Sequence, residues 1–317
     1  PVAVADADTA DMAPPSSAVR SKPMSPNQRA WARFRRNRIG TLSLWIMVAL
    51  LIVSALAEFI SNDRPLVARY NGQWSFPVFA NPPETAFGGD FRTPTDWTDP
   101  FIAEQFAKPG NWKLGTLNPH SASSTDHFQK EPNPAPPSAK NWLGTDSLGQ
   151  DMVARLLYGF RVSILFALAL AAIGTALGIV AGAIQGYFGG RIDLTLQRLI
   201  EIWSSIPELY LLIIFASIFE PSLLLLLVLL SLFGWVGLSD YVRAEFYRNR
   251  GLEFVKAARA MGLSNLQIIW RHVLPNSMTP VITFLPFRMS GAILALVALD
   301  FLGLGVPPSV PSLGDLV

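Results

Sequence analysis

Five long apolar runs, each able to cross a bilayer, constrain this chain more than any other feature of it. They lie at residues 39–60, 162–185, 196–219, 222–239 and 280–302. A hydrocarbon core about 30 Å thick takes roughly 20 helical residues to cross. Lipid offers no partner to backbone N–H and C=O groups, so each run is predicted to be a helix. Half of the residues are hydrophobic and 15% are charged, as in membrane proteins. Only Glu220-Pro221 joins the third run to the fourth, which predicts a tight helical hairpin. Pro207 and Pro286 each remove a backbone donor and predict kinks in the third and fifth runs.

The basic residues are segregated rather than abundant. Arg29, Arg33, Arg35, Arg36 and Arg38 precede the first run, and Arg191 and Arg198 flank the second-to-third connection. Arg243, Arg248, Arg250, Lys256, Arg259 and Arg271 lie between the fourth and fifth. The turn at Glu220 and the tail after Leu302 carry no Lys or Arg. The positive-inside rule puts all three basic zones in the cytoplasm, with the N-terminus inside and residue 317 outside. Residues 1–38 read as a basic cytoplasmic N-terminus, disordered over 2–19, and the opening Pro1 predicts a trimmed start. Ala55-Leu56-Ala57 has the form of a signal-peptidase site, but the long charged lead favours an uncleaved first helix. Charge so explained leaves no basis for a nucleic-acid partner. Absence of cysteine excludes disulfides and thiol chemistry.

Residues 61–160 form an exported insertion rich in Pro, Gly, Asn and Trp, predicted to be a turn-rich cap with short strands. Its Trp74, Trp97, Trp112 and Trp142 suit the cap's own core or the bilayer interface better than peptide reading. The core region, 161–317, opens with Gly174, Gly178, Gly182 and Gly186 at four-residue spacing. On a helix these make a shallow groove for another backbone, in a static or a moving bundle.

The loop 240–275 carries an amphipathic hairpin. Residues 252–261 are predicted to be a short helix with Phe254, Val255, Ala258 and Met261 on one face. Gly262 suits a left-handed terminator, and Ser264-x-x-Gln267 is a capping box that restarts a helix. Leu274-Pro275 is predicted to close the unit, because a residue before proline is pushed out of helical geometry. The result is a stiff knob, with Lys256 and Arg259 pointing outward and Ala257 and Ala258 permitting close approach. The residues alone leave open whether it grips a soluble partner or lies on the headgroups.

This stretch resembles the EAA loop of ABC-transporter permeases, patterned Glu-Ala-Ala, three residues, Gly, nine residues, Ile-x-Leu-Pro. The matching positions are Lys256, Ala257, Ala258, Gly262, His272, Leu274 and Pro275, with Lys256 in place of Glu and His272 in place of Ile. The ending His272-Val-Leu-Pro-Asn276 is similar to the dipeptide/oligopeptide importer branch. So are Leu143-Gly-Thr-Asp146, Gly149-x-Asp151, Arg155, Gly159, Arg161-Val-Ser163, Gly186-Tyr-x-Gly-Gly190, Asp193, Glu201 before Pro207, and Phe301-Leu-Gly-Leu-Gly305 with Pro307-Pro308. The stretches 31–38, 62–65 and 70–74 resemble the E subunits of Yej-type peptide permeases, which handle microcin C in enterobacteria.

The resemblance implies an all-α membrane protein, a polytopic helical bundle of the ABC importer permease type. Five spans are visible, a sixth is missing from this chain beyond Val317, and a turn-rich exported insertion follows the first span. It implies a bacterial inner-membrane location and import of oligopeptides, dipeptides or microcin C-like peptides. It further implies a second homologous permease, a periplasmic peptide-binding protein, membrane lipid, and cytoplasmic ABC ATPase domains that bind ATP and Mg. Those domains would grip Glu253, Lys256, Ala257, Ala258, Arg259, Gly262, His272, Leu274 and Pro275.

Charge at membrane depth is costly, so Glu208, Arg288 and Asp300 must face protein or water and are candidates for the substrate path. An ion pair within the chain or a contact with the second permease explains them equally well. No Gly-x-x-x-x-Gly-Lys-Ser/Thr loop exists, so this chain is expected to bind no cofactor of its own. His120 and His127 lack a nearby third ligand, and no catalytic constellation is found, against a membrane-enzyme reading. The remaining rival is a motor-independent channel or proton-coupled peptide carrier.

Overall fold

The computed structural model describes residues 31–32, 34–125, 132–307 and 310–316. The segment 2–19, Arg29, Arg33, His127 and Pro308 lie outside these residues. The chain divides into two units, Pro1–Leu50 and Leu51–Val317. Helix α1 (Arg38–Ala55) begins in the first, where Asn37 Oδ1 accepts the Gly40 N–H at 3.1 Å, and its last residues fall in the second. The other elements belong to the second.

A short helix, α2 (Ala57–Ile60), leads into the insertion. There β1 (Val67–Tyr70), β2 (Gln73–Ser75) and β3 (Trp112–Leu114) form an antiparallel sheet in the order β2-β1-β3. The β1–β2 hairpin turns on Asn71 and Gly72, at φ +48° and +82°. Two successive positive φ values match the twist of the flanking strands, and Asn-Gly accepts both. Helix α3 (Pro100–Ala107) starts where Asp99 accepts the Phe101 N–H at 2.7 Å, with proline in its first turn. Ala68, Phe87, Trp97, Ile102 and Phe106 form the insertion's core. Trp97 is buried there, its Nε1–H donating to Asn81 Oδ1 at 2.8 Å. Trp74 and Trp112 are exposed and meet edge to face at 5.5 Å, and Trp142 is exposed as well.

Helix α4 (Met152–Phe188) has 37 residues, so it is about 55 Å long. It begins inside the stretch expected to be exported, because Asp151 caps it. That buried carboxylate accepts from Ala154 N at 2.9 Å, Asn118 Nδ2 at 2.7 Å and Asn141 Nδ2 at 3.0 Å, tying the insertion to the helix. Beside it the buried Arg155 guanidinium pairs with Asp146 and Asp315 and donates to Gln150.

The third apolar run is broken rather than kinked. Helices α5 (Gly190–Ser204) and α6 (Glu208–Ile218) meet at 61°, because Pro207 adopts φ −69° and ψ 116° and becomes the residue before a new helix. Helices α7 (Leu223–Phe233) and α8 (Val236–Asn249) run on through Gly234 and Trp235 as one apolar stretch, Leu223–Asn249. Then come α9 (Glu253–Ala260), α10 (Asn265–Ile268), α11 (Leu274–Asn276) and α12 (Thr279–Phe301), the last continuing through Pro286. Among the described residues four stretches are long and apolar enough to cross a membrane, or five if the bent pair counts as one.

Helix α4 is the axis against which α5, α7, α8 and α12 pack. Its glycine stripe faces the break before α8 and then α8 itself. A Cβ on Gly178 would stand 3.0 Å from the Trp235 carbonyl oxygen; one on Gly182 would stand 2.8 Å from Val242 Cβ; one on Gly186 would stand 2.6 Å from Phe246 Cβ. Only glycine lets the two backbones come this close. One end of the bundle is closed by Phe166, Leu212, Leu226, Leu229, Leu230, Leu296 and Leu299. A second cluster, containing Tyr187, Leu238, Val242 and Phe246, reaches into the loop after α8.

Candidate functional site: a knob on the helix bundle

The stretch from α9 to α11 is a knob with an inner and an outer face. Inside, Val255, Ala258, Ile268 and Val273 are buried against Tyr187, Val242, Phe246 and Val281. Gly262, at φ +78°, ends the first helix in the left-handed region. The Ser264 side chain accepts from Gln267 N at 3.3 Å while Gln267 Oε1 accepts from Ser264 N at 2.9 Å, a complete capping box. Polar contacts fix the knob to the bundle. Tyr187 Oη donates to Asn265 Oδ1 at 2.9 Å and accepts from Arg259 at 3.4 Å, and Asn249 Nδ2 donates to the buried Ser277 Oγ at 2.8 Å. The Arg250 guanidinium donates to the Tyr187 carbonyl at 3.1 Å and lies over the Tyr247 ring at 4.1 Å.

Several expected coupling residues stand differently from their sequence reading. Ala258 is buried in the knob's own core and offers no outer surface. Met261, grouped by spacing with Val255 and Ala258, is 72% exposed while those two are buried. Glu253 and Lys256 pair with each other at 2.8 Å on the outside, next to the exposed Ala257. Leu274 does not leave helical geometry, with φ −55° and ψ −49°. Residues Ile269–Val273 instead form a π-helical turn in which the Leu274 N–H reaches the Ile269 carbonyl. The wider turn absorbs the missing Pro275 donor, so the chain passes the proline without unwinding. His272 is half-buried, and its carbonyl accepts from Asn276 Nδ2 at 2.7 Å. Leu266 and Trp270, 65% and 62% exposed, extend the apolar outer face begun by Met261. Their i, i+4 spacing marks a second face, hidden in sequence because Leu263, Ile268, Ile269 and Val273 are apolar too.

The intramembrane charges do not converge. No hydrogen bond or ion pair joins any two of Glu208, Arg288 and Asp300. Asp300 is engaged in the loop that follows it, accepting from Val306 N at 3.0 Å and from the Ser312 hydroxyl. These contacts lie within the chain, the alternative weighed for it beside the substrate path. Glu208 stands half-buried in the first turn of α6. Arg288 lies against α4, so close that a Cβ on Gly174 would collide with its guanidinium. Asp193 and Arg243, missed by the search for buried charges, bind each other through two contacts, Nε to Oδ1 at 2.5 Å and a second nitrogen to Oδ2 at 2.8 Å, and so tie α5 to α8.

The bundle, its glycine-packed axis and the knob invite comparison with known transporters. Residues 174–316 match the model of the binding-protein-dependent transport system inner membrane component. Residues 25–82 match that of the N-terminal TM domain of oligopeptide transport permease C. The inner membrane ABC transporter permease protein YejE of Escherichia coli is 46% identical over 93% of this chain and 86% of its own length. The chain belongs to the ABC-transporter permease family. The peptidoglycan transport system permease protein YejE of Agrobacterium fabrum is 45% identical over 92% of this permease and 82% of its own length. The dipeptide transport system permease protein DppC of Lactococcus lactis is 30% identical over 92% and 78%. Among solved structures, the inward-facing MetNI methionine ABC transporter aligns with a TM-score of 0.45 at 17% identity, over 52% of this permease and 79% of that chain.

Proposed function

We propose that this permease imports peptides, driven by ATPase subunits that dock on the outer face of the knob. On this reading the chain is itself non-catalytic and holds no cofactor, and ATP and Mg bind to the partners. A peptide-binding protein delivers cargo on the opposite side, where the insertion lies, and the N-terminus is cytoplasmic. The observation that carries the proposal is the knob's division into two faces. Val255, Ala258, Ile268 and Val273 lock it to α4 and α8, while Met261, Leu266 and Trp270 stay uncovered. A rigid element with an apolar outer face conveys a push to the bundle, and a motor-independent carrier has no use for it. Relatives named for dipeptide, oligopeptide and peptidoglycan transport support peptides as cargo.

The test uses the assembled importer. The chain has no cysteine, so Ala257→Cys gives a single attachment point. A thiol cross-linker placed there is expected to capture an ATPase subunit, and capture of lipid alone would refute the docking role. Gly262→Val, forced into the left-handed region, is expected to reduce peptide uptake at least about tenfold while insertion into the membrane persists.

A further inference from the structure

We propose that Arg288 is the anchor for the terminal carboxylate of a transported peptide. Arg288 stands near the middle of α12, at a depth where an unpaired cation is costly and rare. Its Nε is shielded from solvent without a hydrogen-bond partner, and it makes no ion pair among the described residues. Asp300 is engaged by Val306 and Ser312, and neither Glu208 nor Asp240 of α8 makes an ion pair or hydrogen bond with Arg288. No anion among the described residues meets the guanidinium, and one from outside them would complete it.

The surroundings favour a small mobile anion. Arg288 borders a cavity of about 280 Å³ walled by Gly234, Gly237, Tyr241, Phe284 and Phe287. Tyr241 and Phe284 lie ring against ring at 4.4 Å on one wall. A single cation set among aromatic rings and bare backbone is the composition of a ligand pocket, apolar with few polar groups that fix orientation. The guanidinium fork matches a carboxylate in two parallel hydrogen bonds. Every peptide with a free C-terminus carries that group, so such a site selects peptides without reading their sequence. The glycines leave room for the side chain of the residue that bears the carboxylate.

This inference rests on the peptide reading, and the experiment separates the two. The complete importer, with wild-type Arg288 or Arg288→Gln, is reconstituted in proteoliposomes. ATP-dependent uptake is measured for one tripeptide as the free acid and as its C-terminal amide, each saturating the binding protein. The preference for acid over amide is expected to fall roughly tenfold in the variant, about 1.4 kcal/mol. Unchanged preference, or equal loss of both peptides, overturns the proposal. So does a carbodiimide-induced bond between Arg288→Lys and an acidic residue of the second permease. Failure of the wild-type importer to move either peptide removes the peptide reading itself.

Discussion

At the scale of single residues, Asp151 shows how one carboxylate joins two parts of the fold. It caps α4 and accepts from Asn118 and Asn141 of the insertion, all in a buried setting. Asp151→Ala removes the cap and strands two buried amides, at a cost of about 1–3 kcal/mol. Asp151→Asn keeps an acceptor for Ala154 but loses charge, so thermal unfolding in detergent is expected to rank wild type above Asn above Ala. In the sequence Asp151 was visible only as part of the family block Gly149-x-Asp151. Its partners lie 10 and 33 positions away, beyond any local pattern. Asp99-Pro100, by contrast, carries a local helix-start signal that turn-rich composition masked.

At the scale of elements, the contact between α4 and α8 depends on the absence of side chains. A leucine at Gly182 would meet Val242 Cβ and the Arg243 backbone within 2.9 Å of its Cβ, so the helices must part. Gly182→Leu is expected to lower the unfolding temperature and abolish uptake, with an overpacking cost of about 1–3 kcal/mol or more. Gly291→Ala in α12 meets nothing within 4 Å and is expected to leave stability unchanged or raise it by about 0.5–1 kcal/mol. The four-residue glycine period made this packing face legible in the sequence, though not the helix it would meet. The knob's internal order was legible too, because Gly262 and the Ser264–Gln267 box act within a few residues of themselves. Its two faces were less so. Apolar residues lie on both, and tertiary contact with Tyr187 and Phe246 decides which is covered. The break at Pro207 was read as a kink because proline alone does not fix the angle between the segments it separates.

At the scale of the whole second unit, the insertion joins one end of α4 at Asp151 and the knob joins the other at Tyr187. A helix of about 55 Å exceeds a hydrocarbon core of about 30 Å, so the two attachments fall on opposite sides of a bilayer. Leu117→Cys and Leu266→Cys, both at exposed sites, test the direction. An impermeant maleimide is expected to label the first in intact spheroplasts and the second only after permeabilisation; the reverse pattern would invert the orientation. The π-helical turn at Ile269–Val273 has a consequence of its own. Such a turn stores one residue more than an α-helix would need over the same rise. Removing that residue would let the segment close as an α-helix with Leu266 and Pro275 kept on their present faces, whereas the same loss from a straight helix turns everything beyond it by about 100°. A single codon can therefore be lost here without re-aiming the apolar outer face, a tolerance that the straight helices on either side do not have.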